Sequence, residues 1–273
     1  MAASNLVQRL LTAAVAVPLL LWLLYGGPAW GFFALVALVS LAGALELFRM
    51  THAGDVFGQG YGMAATFAVL VTLYVFSQRP DLLMGVLLVV PLLGILMPLV
   101  RLGDIKTAGL RMMGNVAGPL YLAGPLAALT LLRRDHGTAG PSWVLLALMF
   151  AWFADTGGYF FGRFLGKTKL YEAVSPKKTR AGFVGALVGA TLGALLAHFW
   201  YLPELPLLEG VLLAVLSGAF GQFGDLAESL LKRSIGVKDS GNIVPGHGGI
   251  LDRIDALLVV APIVYLYTSM RGL

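Results

Sequence analysis

The chain has 273 residues, of which 58% are hydrophobic and only 12% charged, with a formal net charge of +5 and no cysteine. So little polar surface cannot cover a soluble domain of this size, and a mean hydropathy of +0.85 agrees. These values exclude a soluble enzyme, a disordered chain, a coiled coil and a disulfide scaffold, and they remove thiolate chemistry.

Apolar stretches of about 20 residues, the length that crosses a ~30 Å hydrocarbon core as a helix, recur along the whole chain. Runs such as Ala13 to Leu24 and Leu82 to Leu99 lack the short alternation of barrel strands. The pattern therefore predicts an all-α polytopic membrane protein with about nine transmembrane helices. They are expected at 7–26, 29–50, 61–77, 81–100, 109–132, 143–163, 181–201, 208–231 and 250–270, the fifth being the least hydrophobic. The first segment lacks a small-residue cleavage site and runs into the second after a Gly-Gly-Pro turn, so it is expected to stay in the mature protein. Residues 1–140 read as hydrophobic scaffold helices with dimer and lipid contacts. Residues 141–273 read as the catalytic membrane region, with cytoplasmic loops 162–180 and 232–249. In span seven, Gly185, Gly189 and Gly193 form a small-residue stripe suited to close helix packing.

Basic residues set the orientation. With the N-terminus cytoplasmic, that side holds Arg9, Arg49, Arg101, Lys106, Arg111, Arg163, Lys167, Lys169, Lys177, Lys178, Arg180, Lys232, Arg233, Lys238 and Arg253, fifteen of the nineteen. The other side holds Arg79, Arg133, Arg134 and Arg271. The expectation is a multi-pass protein of a bacterial inner membrane with its chemistry facing the cytoplasm. The basic excess is then a matter of topology and membrane lipid, not of nucleic-acid binding.

Charges inside spans are costly, so Glu46, Asp155, Asp225, Glu228, Asp252 and Asp255 each require a reason. Asp225 and Glu228 are three residues apart, as are Asp252 and Asp255, which puts each pair on one helix face near the cytoplasmic end. Such pairs repel unless a cation lies between them. Carboxylates without Cys or a His cluster are the ligand set of a hard divalent ion such as Mg²⁺, whose shell is completed by water and phosphates. The alternative is that these acids form ion pairs with Lys232, Arg233 or Arg253. Asp155, near Trp152 and Tyr159, reads equally as a buried hydrogen-bonded acid or as a member of the metal site.

Two loops carry the remaining polar chemistry. The segment from Lys238 to Gly249 is glycine-rich and able to cradle an anion with backbone N–H groups, with Lys238 adding charge and His247 a donor or proton carrier; a plain interhelical turn is the other reading. The segment with Lys167, Lys169, Lys177, Lys178 and Arg180, interleaved with Ser175, Pro176 and Thr179, reads as a topology determinant and lipid contact or as a phosphate-binding loop. Gly166-Lys167-Thr168 is not the end of a P-loop, because the required first glycine falls on Phe161.

Ser229-Leu230-Leu231-Lys232-Arg233, then Lys238-Asp239-Ser240-Gly241, then Pro245-Gly246-His247-Gly248-Gly249-Ile250-Leu251-Asp252-Arg253-Ile254-Asp255 resembles the signature of the phosphatidate cytidylyltransferases, also called CDP-diacylglycerol synthases. The likeness extends to Gly224 through Ser229, to Asp155-Thr156, Gly162-Arg163 and Gly166-Lys167, and to Ser175-Pro176-Lys177-Lys178-Thr179. It covers roughly the last 120 residues; the first 140 match only as serial hydrophobic spans. Two positions depart from the pattern: Arg180-Ala181-Gly182 stands where Trp-Glu-Gly is usual, which removes a carboxylate, and Val244 replaces a larger apolar residue.

The resemblance implies transfer of the CMP moiety of CTP to phosphatidic acid, giving CDP-diacylglycerol and pyrophosphate, with Mg²⁺ required and a paired metal centre that a second cation completes. Carried onto this chain, the metal ligands are Asp225, Asp252 and Asp255, with Glu228 beside them. Lys238 and His247 join these aspartates as catalytic candidates, although an attacking phosphate that is already ionised leaves His247 little to do. Lys167, Ser175, Lys177, Lys178, Thr179, Ser229, Lys232, Arg233 and Arg253 are the candidates for holding phosphates, and a homodimer is expected from the family alone. Two other readings stand beside this one. A CTP-dependent lipid or polyprenol kinase would need a base for a hydroxyl proton, and a cation- or proton-coupled transporter would use Asp155, Asp225 and Glu228 as relays.

Overall fold

The computed structural model describes residues 2–243 and 248–272, with side chains from Ala14 onward. It is built from α1 (Ala2–Tyr25), α2 (Ala29–Thr51), α3 (Val56–Val75), α4 (Pro80–Val100), α5 (Ala108–Asp135), α6 (Gly140–Leu165), α7 (Arg180–Leu196), α8 (Leu207–Ser234), the single turn α9 (Leu251–Ile254) and α10 (Leu257–Arg271). Among the described residues eight helical segments are long and apolar enough to cross a membrane, and Ala14–Tyr25 adds a shorter apolar one. The all-α polytopic architecture expected from the apolar runs is therefore present.

Two departures from the expected spans have local causes. α3 starts at Val56, ahead of the apolar stretch, because Asp55 caps it by accepting from Gly58 N at 3.1 Å. Span seven is completed by a π turn over Ala197–Tyr201. The last span is interrupted between α9 and α10 where Asp255 Oδ1 accepts from Ala256 N at 2.7 Å, a local bond that competes with the helical ladder. The basic loop after α6 is ordered as a hairpin of β1 (Lys169–Tyr171) and β2 (Ser175–Thr179), paired antiparallel with Lys169 opposite Thr179.

The helices sort into two compact units, and the boundary falls inside α5. The first comprises Met1–Thr130 together with Asp239–Arg253. Its core gathers around Phe48 of α2, which is fully buried. Gly62 of α3 and Gly118 of α5 lie so close to that ring that an added Cβ would stand 2.4 and 2.8 Å from it. At one end of these helices Arg111 of α5 forms an ion pair with Asp55 at 3.7 Å and donates to the Leu102 and Asp104 carbonyl oxygens.

His52, which follows α2, is 1% exposed and lies 2.9 Å from Thr51 Oγ1 through its Nδ1. Burial lowers its pKa below the ordinary 6.5, Asp55 opposing that shift and Arg111 reinforcing it. Because the unfolded chain takes up this proton more readily than the folded one, stability should fall as the pH drops below about 6.5. Thermal unfolding in detergent between pH 7.5 and 5.5 checks this, and the His52→Asn variant should show a flatter slope.

The second unit comprises Leu131–Lys238 together with Ile254–Leu273. It is organised by the α6–α7 contact. A Cβ at Gly157 would stand 2.1 Å from Gly185 O, and one at Gly189 would stand 2.0 Å from Phe153 O. The stripe therefore lets two backbones touch, as its spacing predicts. α8 lies against α7 through Gly218, and against the start of α10 through Gly224, where a Cβ would meet Val259 Cγ2 at 2.6 Å. Gly193 is different, since its nearest neighbour would be at an ordinary 3.5 Å. Gly189→Ala should therefore destabilise the protein by about 1–3 kcal/mol through forced separation of α6 and α7, whereas Gly193→Ala should leave its melting temperature unchanged or slightly raised. Melting curves of the two variants in one detergent test the contrast.

Candidate active site

In the second unit the acidic residues gather where α8 approaches the break before α10. Asp225 is half-buried on α8, and its Oδ2 lies 2.8 Å from Lys178 Nζ, whose ammonium also donates to Gln222 O at 3.3 Å. Lys178 arrives from β2, so the hairpin delivers one chosen cation of the basic loop to α8. Thr179, at the end of that strand, is buried and caps α7 by accepting from Gly182 N at 3.1 Å. The cap fixes where the hairpin ends and the helix begins, and thereby where Lys178 stands.

One turn further along α8, Glu228 Oε2 lies 2.6 Å from Lys232 Nζ, and both side chains are buried. Ser229 Oγ approaches Asp225 Oδ1 at 3.4 Å. Asp255, buried in the break between α9 and α10, has Asp225, Glu228 and Asp155 all close enough to act on it electrostatically. Asp155 lies on an exposed stretch of α6, flanked by Trp152 and Tyr159 on the same face. Four carboxylates thus surround one region, and the ammonium groups set among them by ion pairs are those of Lys178 and Lys232. Of the ion pairs expected for these acids, the one between Glu228 and Lys232 is present; Asp225 pairs instead with Lys178, and Asp255 lies among like charges. The donor set is all oxygen, which is the chemistry of a hard cation. Among the described residues no three His, Asp or Glu side chains are drawn together as a metal-ligand set.

The other phosphate-binding candidates of this unit are spread over its surface. Lys167, Lys177 and Lys238 are exposed and Ser175 is half-buried. Arg233 is exposed and closes the end of α8 by donating to Val237 O at 3.1 Å.

The first unit contains Asp252, on the single turn α9. Its Oδ2 accepts from Ser240 N at 3.0 Å, Ser240 Oγ at 2.9 Å and Gly249 N at 3.2 Å. Beneath it Glu46 of α2, 1% exposed, accepts from Leu251 N at 2.9 Å and from Ser240 Oγ at 3.1 Å. Arg253 is exposed, and His247 lies outside the described residues. Sequence reasoning singled out Glu46 as an intramembrane charge without finding it a task. The signal it lacked is long-range, since the partners are about 200 positions away. The selection of Lys178 from five neighbouring cations was also out of reach, because only the strand register decides it.

The model of the cytidylyltransferase family matches residues 7–271. The phosphatidate cytidylyltransferase of Synechocystis sp. is 34% identical over 96% of both chains. Those of Bacillus subtilis and Staphylococcus haemolyticus are each 44% identical, over 50% and 46% of this chain. In these two cases the match spans about half the length of the relative, 51% and 48%. A family match over nearly the whole chain, with a full-length relative at 34% identity, shows that the chain belongs to the cytidylyltransferase family.

Proposed function

We propose that this membrane protein is a phosphatidate cytidylyltransferase that joins CTP and phosphatidic acid to give CDP-diacylglycerol and pyrophosphate, at the cytoplasmic face of a bacterial inner membrane. The observation that carries the reading is the acidic cluster where α8 meets the break before α10, with Lys178 set into it, on a chain related over 96% of its length to an enzyme of that name.

An oxygen of the lipid phosphate attacks the α-phosphorus of CTP; the new P–O bond forms as the bond from the α-phosphorus to the β-phosphate oxygen breaks, and pyrophosphate leaves. The attacking phosphate is already ionised near neutral pH, so no residue has to remove a proton, and the work is alignment and charge neutralisation. By the sequence likeness Asp225, Asp252 and Asp255 would hold Mg²⁺, with Glu228 beside them and a second cation admissible. Bound there, magnesium would neutralise charge on the transferring phosphoryl and the leaving group. Lys178 holds Asp225 in place and lies where an incoming phosphate can compete for its ammonium. Lys232, Arg233 and Lys238, with the hairpin, would hold phosphates, and the acyl chains would stay in the hydrocarbon. The kinase and transporter alternatives are not favoured by the relatives' shared name.

Purified protein given CTP, phosphatidic acid and Mg²⁺ should release pyrophosphate and form CDP-diacylglycerol; appearance of CDP instead would identify a kinase. Asp252→Asn should abolish this turnover while the protein still folds, and wild-type-like activity would overturn the metal assignment. Lys178→Met should lower kcat/KM for CTP by about tenfold or more, whereas Lys177→Met should have a smaller effect.

A further inference from the structure

Glu46 is a carboxylate on a transmembrane helix with 1% of its surface exposed. Such a group is costly in an apolar bundle and needs compensation. Here the compensation comes from a turn far away in the chain. Glu46 Oε2 accepts from Leu251 N at 2.9 Å and from Ser240 Oγ at 3.1 Å. The same Ser240 hydroxyl lies 2.9 Å from Asp252 Oδ2, which also accepts from Ser240 N and Gly249 N. A hydroxyl has one proton, so Ser240 links the two carboxylates through a single shared donor. The turn is moulded around Glu46: a Cβ at Gly241 would stand 2.4 Å from Glu46 Oε1, and one at Gly249 would stand 2.7 Å from Glu46 Oε2 and 1.9 Å from Ser240 Oγ. Any side chain at either glycine would displace the carboxylate or the hydroxyl.

We propose that Glu46 is a positioning residue of the reaction: from α2 it anchors the Ser240 and Gly249–Leu251 backbone and so sets the orientation of Asp252. The inference rests on the cytidylyltransferase reading only for its kinetic consequence. The anchoring itself is a property of the fold. Glu46 touches neither substrate nor reacting atoms in this role, and it acts through Ser240 and the Leu251 amide.

The test pairs exchange with kinetics on the full-length protein in detergent. In Glu46→Leu, hydrogen exchange should rise over residues 248–253 while the amides of α6–α8 stay protected. In the same variant kcat should fall by about ten- to a hundredfold, with the KM for CTP within about threefold of wild type and the Mg²⁺ requirement raised. Glu46→Gln, which keeps an acceptor for the Leu251 amide, should recover much of kcat and most of the protection. Ser240→Ala should lower kcat in the same direction, and the Glu46→Leu/Asp252→Asn double variant should be no worse than Asp252→Asn alone. Unchanged exchange over 248–253 would overturn the anchoring, as would an activity loss that only tracks the fraction of unfolded protein. Should Glu46→Leu fail to fold, the Gln variant decides by the same exchange measurement, since a response spread evenly over the chain would sink the proposal. If the wild-type protein released no pyrophosphate, the functional reading would fail while the exchange result still judged the anchor.

Discussion

A carboxylate moved from water into an apolar helix bundle costs several kcal/mol unless its lone pairs are met by donors or an opposing charge. This chain incurs that cost repeatedly, and the conformation of its polar segments follows from how the cost is offset. Glu228 is held by a lysine one turn away on the same helix, the cheapest solution because helical geometry already brings the two together. Asp225 draws Lys178 from the hairpin that precedes α7, which orders that hairpin against α8. Glu46 draws a backbone amide and a hydroxyl from a turn about 200 residues away. Asp255 is buried among other carboxylates, and its position at the interruption before α10 is where the network is least neutralised.

These solutions make different demands on the surroundings. A backbone amide such as that of Leu251 cannot leave without breaking the start of α9, so the Glu46 contact is tied to the fold of the turn. A lysine ammonium on a flexible stem can exchange partners at little cost. Lys178, paired with the half-buried Asp225, is therefore suited to a site where an anionic substrate arrives and departs, whereas Lys232 is tied to the buried Glu228 and Glu46 to a turn that stays as it is. The tight glycines reinforce the distinction. Around Glu46 they admit no side chain and no slack, whereas the α6–α7 stripe uses the same residue to let two main chains meet in the bilayer.

The helical architecture was legible because a membrane span is a statement about length and composition, both local properties. The runs at 29–50 and 81–100 correspond to Ala29–Thr51 and Pro80–Val100 within a residue or two. What local pattern could not give was decided by contacts distant in sequence. The segment 239–253 joins the first unit although its neighbours on both sides belong to the second, since Glu46 Oε2 accepts from the Leu251 amide and the Ser240 hydroxyl of that segment. The strands at Lys169–Tyr171 and Ser175–Thr179 were invisible to hydrophobic periodicity because they are short and largely polar. Among the site residues, the acids on α8 were readable from their spacing of three. The division of labour between Lys178, paired with Asp225, and the exposed Lys177 was not, because adjacent residues of a strand face opposite ways and only the register says which faces α8.

The departure from the family pattern at Arg180-Ala181 can be placed in the same terms. Thr179 caps α7 at this point, and Gly182, whose amide completes the cap, is retained. The backbone device that ends the hairpin and aims Lys178 at Asp225 therefore does not depend on the tryptophan and glutamate that are usual there. Losing that carboxylate, with Arg180 in place of an uncharged residue, makes the first turn of α7 more positive than the usual pattern would. Under the proposed reaction, in which a triphosphate and a lipid phosphate must approach each other, the change strengthens attraction for both anions without touching the acids assigned to magnesium.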